Sequence, residues 1–146
     1  MEKEKILVVE DEMIIAEDIR KILVDLGYVV PEIITTGEEA IKKTEEIRPD
    51  LVLMDINLKG NIDGIESAQE IHNRFDIPII YVSAYSNKDT LERARKTEPF
   101  GYIPKPFTDI ELNAMLTLTF LNHRILRRSQ ESEKWQASTS EEITLL

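Results

Sequence analysis

Four short segments of the chain are continuously apolar and rich in isoleucine and valine. Runs of this kind are typical of strands in a parallel sheet, because helices cover both faces of such a sheet. They are residues 5–9, 50–54, 78–82 and 101–103. A fifth run, residues 28–34, is interrupted by Pro31, which has no N–H to donate to a neighbouring strand. The pattern therefore predicts five strands, with the fifth run at an edge of the sheet.

Segments with helical spacing of apolar positions lie between these runs, and several begin with capping residues. At three of the starts an acid follows a threonine or aspartate at the spacing of a capping box: Thr36 and Glu39, Asp63 and Glu66, and Thr108 and Glu111. The first helix is predicted over about residues 12–26, because Gly27 tolerates the left-handed conformation that ends many helices.

Strands and helices thus alternate five times along the chain. This order predicts the α/β class, a doubly wound parallel sheet of five strands with helices on both faces. In such folds the connections are right-handed, and ligands bind beyond the carboxyl ends of the strands where the strand order reverses. The residues directly after the carboxyl ends of the strands are therefore the first candidates for function.

Composition narrows the class of protein. A chain of 146 residues suits one domain and a tail, and the absence of cysteine excludes disulfides and thiolate zinc sites. The formal net charge of -10 disfavours binding to nucleic acid phosphates or anionic lipid. The first apolar run is too short for a signal peptide or a membrane span. We expect a cytoplasmic protein that contacts neither nucleic acid nor membrane directly.

Charged and polar residues follow four of the predicted strands at their carboxyl ends. Glu10 and Asp11 follow the first strand, Asp55 the third, Ser83 the fourth and Lys105 the fifth. Three acids held together repel one another, so the arrangement is favourable around a hard cation such as Mg²⁺, which prefers oxygen ligands. A carboxylate beside such a cation can attack phosphorus while the metal and a lysine offset the charge of the transferred group.

This set of residues resembles that of the receiver domains of two-component response regulators, and the resemblance covers roughly residues 4–122. It implies a flavodoxin-like strand order, 2-1-3-4-5. It also implies that Asp55 accepts a phosphoryl group from a sensor histidine kinase or phosphotransfer protein, with Mg²⁺ as cofactor. Asp11 would bind the metal directly, and Glu10 largely through water.

The same resemblance implies roles for four further residues. Asn57 would offer its backbone carbonyl to the metal, and the Ser83 hydroxyl would turn toward the phosphoryl group. Tyr102 would be the aromatic residue that switches with Ser83, and Lys105 would bind the phosphoryl group, with a cis bond to the following proline. Glu10 stands where aspartate is more common, and Ser83 where threonine is more common. The longer glutamate changes the reach of that side chain and keeps its charge.

Three other functions remain alternatives at this point. A magnesium phosphohydrolase of the haloacid dehalogenase type also uses a strand-ending aspartate, but it needs a second aspartate where Asn57 stands. A nucleotide-binding Rossmann domain needs a glycine-rich loop after the first strand, which the chain lacks. A receiver-like fold could also bind a partner without being phosphorylated, although the complete acidic set and Lys105 argue against it.

The fifth predicted helix is apolar on more than one face. One stripe comprises Ile110, Ala114, Leu118, Leu121 and Ile125, and a second group comprises Leu112, Met115, Leu116 and Phe120. Two apolar faces indicate either a helix embedded in the core or a helix with one face free for a partner. We favour the partner surface, with a homodimer formed through the fourth helix, fifth strand and fifth helix.

The end of the chain differs in composition from the rest. We predict a receiver domain over residues 1–122, followed over residues 123–146 by a C-terminal helix extension and a polar, linker-like tail. The tail leaves no room for an output domain of its own, so we expect either a stand-alone receiver or a fragment of a larger protein. We expect no enzymatic activity beyond self-phosphorylation and slow autodephosphorylation.

Overall fold

Five parallel strands form one sheet in the order β2-β1-β3-β4-β5. The structure is a computed structural model, and it describes residues 3–84 and 87–123. The strands are β1 (Ile6–Val9), β2 (Ile33–Ile34), β3 (Leu51–Asp55), β4 (Ile79–Ser83) and β5 (Gly101–Pro104). The flavodoxin-like order is the predicted one. β2 lies at the edge and begins after Pro31, in agreement with the inability of proline to join a ladder.

Helices connect the strands and cover both faces of the sheet. They are α1 (Met13–Asp25), α2 (Gly37–Ile47), α3 (Gly64–Arg74), α4 (Lys88–Lys96) and α5, whose described part covers residues 109–123. The three predicted capping pairs are confirmed, since each threonine or aspartate side chain accepts from the backbone N–H of the acid three residues later. Gly27 follows α1 with a φ of +98°, the conformation for which glycine was expected.

Alternation along the strands divides the core into two layers. Strand side chains that point to one face pack against α1 and α5, and those that point to the other face pack against α2, α3 and α4. Leu53 and Met54, neighbours in β3, belong to opposite layers, and both are fully buried. The core therefore holds β3 from both sides and fixes the position of its carboxyl end.

Helix α5 buries one of its two apolar faces. Leu112 and Leu116 are fully buried in the layer shared with α1, whereas Ile110, Leu118 and Leu121 are 77%, 57% and 52% exposed. The embedded alternative is therefore wrong for the described part of this helix, and the prediction of a free apolar face is confirmed. Residues 124–146 lie outside the described residues, so the C-terminal extension and tail stay a prediction. No helix within the described ranges is long and apolar enough to cross a membrane.

A buried hydrogen-bond chain joins β4 to the end of α4. The hydroxyl of Tyr81, a fully buried residue, donates to Thr97 Oγ1 at 2.7 Å, and Thr97 Oγ1 donates to the Ala94 carbonyl at 2.6 Å. Burial raises the pKa of the Tyr81 phenol to about 12. These two hydrogen bonds anchor the C-terminal end of α4 to the sheet.

We expect Tyr81→Phe to lower the free energy of unfolding at pH 7 by about 1 kcal/mol, because it removes one buried hydrogen bond. The raised pKa also means that the tyrosine protein loses stability as the pH rises from 10.0 toward 12, where the unfolded phenol ionises first. The phenylalanine variant lacks that loss. Urea unfolding at pH 7 and pH 11 measures both effects, and equal stability of the two proteins at pH 7 would contradict the expectation.

Candidate functional site

The predicted site residues come together at the carboxyl edge of the sheet. Glu10 follows β1, Asp55 is the last residue of β3, Ser83 is the last residue of β4, and Lys105 follows β5. The strand order reverses between β1 and β3, where ligands bind in doubly wound sheets. The apolar runs predicted that Asp55 and Ser83 would directly follow their strands, whereas each is the last residue of its strand.

Three carboxylates meet at this reversal. Glu10, Asp11 and Asp55 each place one oxygen within 4.8 Å of the others. Glu10 and Asp55 are buried, with exposures of 1% and 6%, and Asp11 is half-buried. Clustered carboxylate oxygens are the donors that Mg²⁺ prefers, and the half-buried position of Asp11 leaves the cluster open to water and to a phosphoryl group. The donor set therefore fits a magnesium ion.

Lys105 supplies the one ammonium group near the cluster within the described residues. Its Nζ donates to Glu10 Oε1 and lies 3.9 Å from Asp55 Oδ2. The second oxygen of Glu10 accepts from the backbone N–H of Glu12 at 3.3 Å. The bond from Lys105 to Pro106 is cis, as the resemblance implied. Glu10 thus holds Lys105 beside Asp55.

The pKa values of Glu10 and Asp55 are shifted in opposite directions. Burial, together with the hydrogen bond and charge of Glu10, raises the pKa of Asp55 to about 7. Burial also raises the pKa of Glu10, but its hydrogen bonds to Asp55 and Lys105 lower that pKa overall. Without a bound metal ion, Glu10 is therefore the first of the two acids to ionise as the pH rises, and Asp55 is the second.

Asn57 contacts two of the predicted site residues. Its backbone N–H donates to Asp55 Oδ1 at 3.2 Å, and its side-chain Nδ2 donates to Ser83 Oγ at 3.3 Å. The resemblance implied a role for its backbone carbonyl and an influence of this position on the lifetime of the phosphoryl group. No local pattern could have found the contact with Ser83, which lies 26 residues away. Tyr102 lies half-buried on the α3 and α4 side of the sheet, and its switching role stays a prediction.

Two further groups position the acids and were not predicted. The backbone N–H of Lys59 donates to Asp11 Oδ2 at 3.1 Å, which ties the loop after β3 to the loop after β1. A Cβ atom at Gly64 would lie 1.9 Å from the carbonyl oxygen of Asp55. Only glycine therefore allows α3 to start so close to the end of β3. A glycine directly after the capping Asp63 was the signal available in the sequence.

Comparison with known proteins gives a consistent result. The family described as the response regulator receiver domain matches residues 6–117. The chain is 34% identical over 120 residues to the transcriptional regulatory protein PdtaR of Mycobacterium tuberculosis, a match that covers 82% of this chain and 58% of that protein. It is 30% identical over 127 residues to the phyllosphere-induced regulator PhyR of Methylorubrum extorquens, covering 86% and 47%. The chain thus spans about half the length of these curated relatives.

Solved structures agree with the fold. The signal receiver domain of a modulated diguanylate cyclase from Desulfovibrio desulfuricans G20 superposes with a TM-score of 0.81 at 32% identity, covering 85% of this chain and 98% of that one. A CheY-like response regulator receiver domain from Methanospirillum hungatei JF-1 gives a TM-score of 0.78 at 26% identity, covering 84% and 98%. The predicted fold class is confirmed.

Proposed function

Because the chain belongs to the response regulator receiver domain family, we propose that Asp55 accepts a phosphoryl group from the phosphohistidine of a sensor histidine kinase or phosphotransfer protein. The observation that carries the proposal is the convergence of Glu10, Asp11 and Lys105 on Asp55 at the strand-order reversal. These are the charges that a phosphoryl group and a divalent cation need at a carboxylate.

The transfer is a displacement at phosphorus. A carboxylate oxygen of Asp55 forms a bond to phosphorus, the bond from phosphorus to the imidazole nitrogen of the donor breaks, and its electron pair stays on that nitrogen. Lys105, already 3.9 Å from Asp55, offsets the negative charge of the transferred group. Ser83 donates a hydrogen bond to a phosphoryl oxygen. A Mg²⁺ held by Asp11, Asp55 and the Asn57 carbonyl, with Glu10 largely through water, would supply further neutralisation of charge.

The chain acts as a phosphoacceptor switch rather than as an enzyme with a separate substrate, although slow autodephosphorylation is part of the proposal. A phosphohydrolase of the haloacid dehalogenase type would need a carboxylate two residues after its nucleophile. Here Asn57 occupies that place, and because an amide cannot serve as a general acid or base, the residue argues against rapid turnover. We propose a cytoplasmic protein, and its net charge of -10 disfavours direct contact with nucleic acid.

Intact mass spectrometry after incubation with a small phosphodonor tests phosphoryl uptake. We expect the wild type to gain the mass of one phosphoryl group only when Mg²⁺ is present, and Asp55→Asn to gain none. Asp18→Asn, at an exposed position on α1, is the control and should behave as the wild type. Equal uptake by Asp55→Asn would contradict the proposal. No uptake with the donor intact would favour a receiver that binds without phosphorylation, and rapid donor consumption without an adduct would favour the phosphohydrolase.

We propose in addition that phosphorylation promotes a homodimer through the surface formed by α4, β5 and α5. The surface carries the exposed apolar stripe of α5 and a self-complementary distribution of charge. Helix α4 has four basic and two acidic side chains, whereas α5 begins with exposed Asp109 and Glu111. A two-fold dimer brings the same surface of both copies together, so it can pair a basic α4 with the acidic start of the partner's α5. We propose that Ser83 and Tyr102 move together on phosphorylation, as the matching residues do in the family, and that this movement alters the surface.

Sedimentation velocity with beryllofluoride, a stable mimic of the phosphoryl group, measures the dimer. We expect the wild type to shift toward dimer when Mg²⁺ and the mimic are added, and Leu118→Glu to weaken dimerisation at least about tenfold, because it buries a charge at the centre of the surface. Ile14→Glu on α1 is the matched control, since Ile14 is 83% exposed and lies on another helix. An unchanged monomer with and without the mimic would contradict the proposal.

A further inference from the structure

Backbone hydrogen bonds hold the middle of the loop between β3 and α3, residues 59–61. Leu58 before this segment is buried and Ile62 after it is half-buried, but the three side chains between them are exposed. Apolar packing therefore does not fix this part of the backbone. At its start, the N–H of Lys59 donates to Asp11 Oδ2 at 3.1 Å. The segment is thus tied to an acid of the proposed metal site.

The end of the same segment is bound by Glu38, which lies in the first turn of α2. Glu38 Oε1 accepts from the backbone N–H groups of Asn61 and Ile62, at 3.2 Å each. Gly60, directly before Asn61, has a φ of +116°, a conformation that side chains other than glycine rarely adopt. Glu38 therefore fixes the far end of a tight turn whose first residue contacts Asp11.

The backbone that carries Glu38 is held independently of its side chain. Gly37, the buried residue before it, packs so closely on the loop that a Cβ atom there would lie 2.8 Å from Ile62 Cγ1. The Gly37 carbonyl also accepts from the buried Ser67 Oγ at 3.0 Å. Because the Glu38 side chain is exposed, its truncation opens no cavity in the core. The carboxylate can therefore be removed while the start of α2 stays in place.

We infer that Glu38 is a positioning residue for the proposed magnesium site and acts on Asp11 through the turn at residues 59–62. This inference rests on the proposed function and deepens it. An N–H bound to one oxygen of a carboxylate restricts the directions in which the other oxygen can face. With the turn fixed by Glu38, the Lys59 N–H keeps Asp11 oriented before the cation arrives, so binding costs less conformational freedom.

Amide hydrogen exchange, measured by NMR on the metal-free protein, tests the effect on the turn. We expect Glu38→Ala to speed exchange of the Lys59 and Asn61 N–H groups at least about threefold, because the loosened turn opens more often. Glu38→Gln keeps an acceptor oxygen at the same reach, so it should restore rates close to wild type. Glu39→Ala is the matched control, since it removes the same charge from the same turn of α2.

Addition of Mg²⁺ alone, followed by the amide chemical shifts of the site, tests the effect on the metal. We expect Glu38→Ala to weaken Mg²⁺ binding about threefold, and Glu38→Gln and Glu39→Ala to stay within about 1.5-fold of the wild type. A general electrostatic effect would instead weaken binding about equally in all three variants, because each loses one negative charge. Equal weakening would overturn the inference.

Faster exchange at Asn61 alone, with Lys59 exchange and Mg²⁺ affinity unchanged, would also overturn it, because Glu38 would then hold only its own contacts. Equal urea midpoints for the wild type and Glu38→Ala would show that a loss of affinity is not a loss of fold. If the wild type itself shows no shifts with Mg²⁺, the proposed metal site fails, and this inference fails with it. If the wild type and Glu38→Ala bind Mg²⁺ equally, the metal site stands and only the role of Glu38 is wrong.

Discussion

Replacing Asp55 with asparagine is expected to raise the free energy of unfolding of the metal-free protein at pH 8 by about 2 kcal/mol, after allowance for solvent screening. Burial and the adjacent Glu10 raise the pKa of Asp55 from 3.8 to about 7. An acid whose pKa is higher in the folded state loses stability as the pH rises through that value. Asparagine keeps the shape of the side chain and an oxygen for the Asn57 N–H, and it carries no charge.

Urea unfolding in the presence of a chelator, at pH 5 and at pH 8, measures this gain. The difference between the variant and the wild type should be larger at pH 8, because the wild-type penalty accumulates as Asp55 ionises. Asp18→Asn should change stability little at either pH, since Asp18 is exposed. A gain that does not grow with pH, or a loss at pH 8, would show that the acids do not repel one another as the geometry requires.

Replacing Lys105 with methionine should have the opposite effect, a loss of about 2 kcal/mol in the metal-free protein, reduced from the cost of a fully buried pair because the site opens to water. Glu10 is buried and Lys105 is its only cationic partner within the described residues, so the variant leaves a carboxylate without compensation. The same substitution removes the charge that faces the phosphoryl group, so phosphoryl uptake should also fall.

Lys59 provides the matched control for this prediction. It lies exposed in the loop after β3, and only its backbone contacts an acid of the site. Lys59→Met should therefore leave both stability and phosphoryl uptake close to wild type. Adding Glu10→Gln to Lys105→Met should recover most of the lost stability, because it removes the unpaired charge. Failure of that second change to restore stability would mean that Lys105 acts through packing instead of charge.

The positions of the site residues followed largely from the sequence, and their contacts did not. Buried strands are visible as apolar runs, so Glu10 and Lys105 could be placed at strand ends without a structure. Backbone pairing continues one residue past the apolar part of β3 and β4, which is why Asp55 and Ser83 lie inside their strands. The hydrophobicity of a segment indicates that it is buried, but it does not indicate at which residue the backbone hydrogen bonds between strands end.

Contacts between distant residues had no local signal. Glu10 and Lys105 are 95 residues apart, and the preference of Lys105 for Glu10 over Asp55 depends on the reach of both side chains once the strands are assembled. Helix α5 presents the same difficulty, because its two apolar faces are alike in sequence. The sheet and α1 cover the Leu112 face, and that choice is made by packing alone.

Borohydride reduction of the phosphorylated protein, followed by peptide mapping, tests most directly whether Asp55 carries the phosphoryl group. Borohydride reduces an acyl phosphate of aspartate to homoserine, which marks the acceptor permanently. We predict homoserine at position 55 alone, in wild-type protein treated with phosphodonor and Mg²⁺. Homoserine at Asp11 or at another acid, or a mass gain with no homoserine at position 55, would contradict the assignment of Asp55 as the phosphoacceptor.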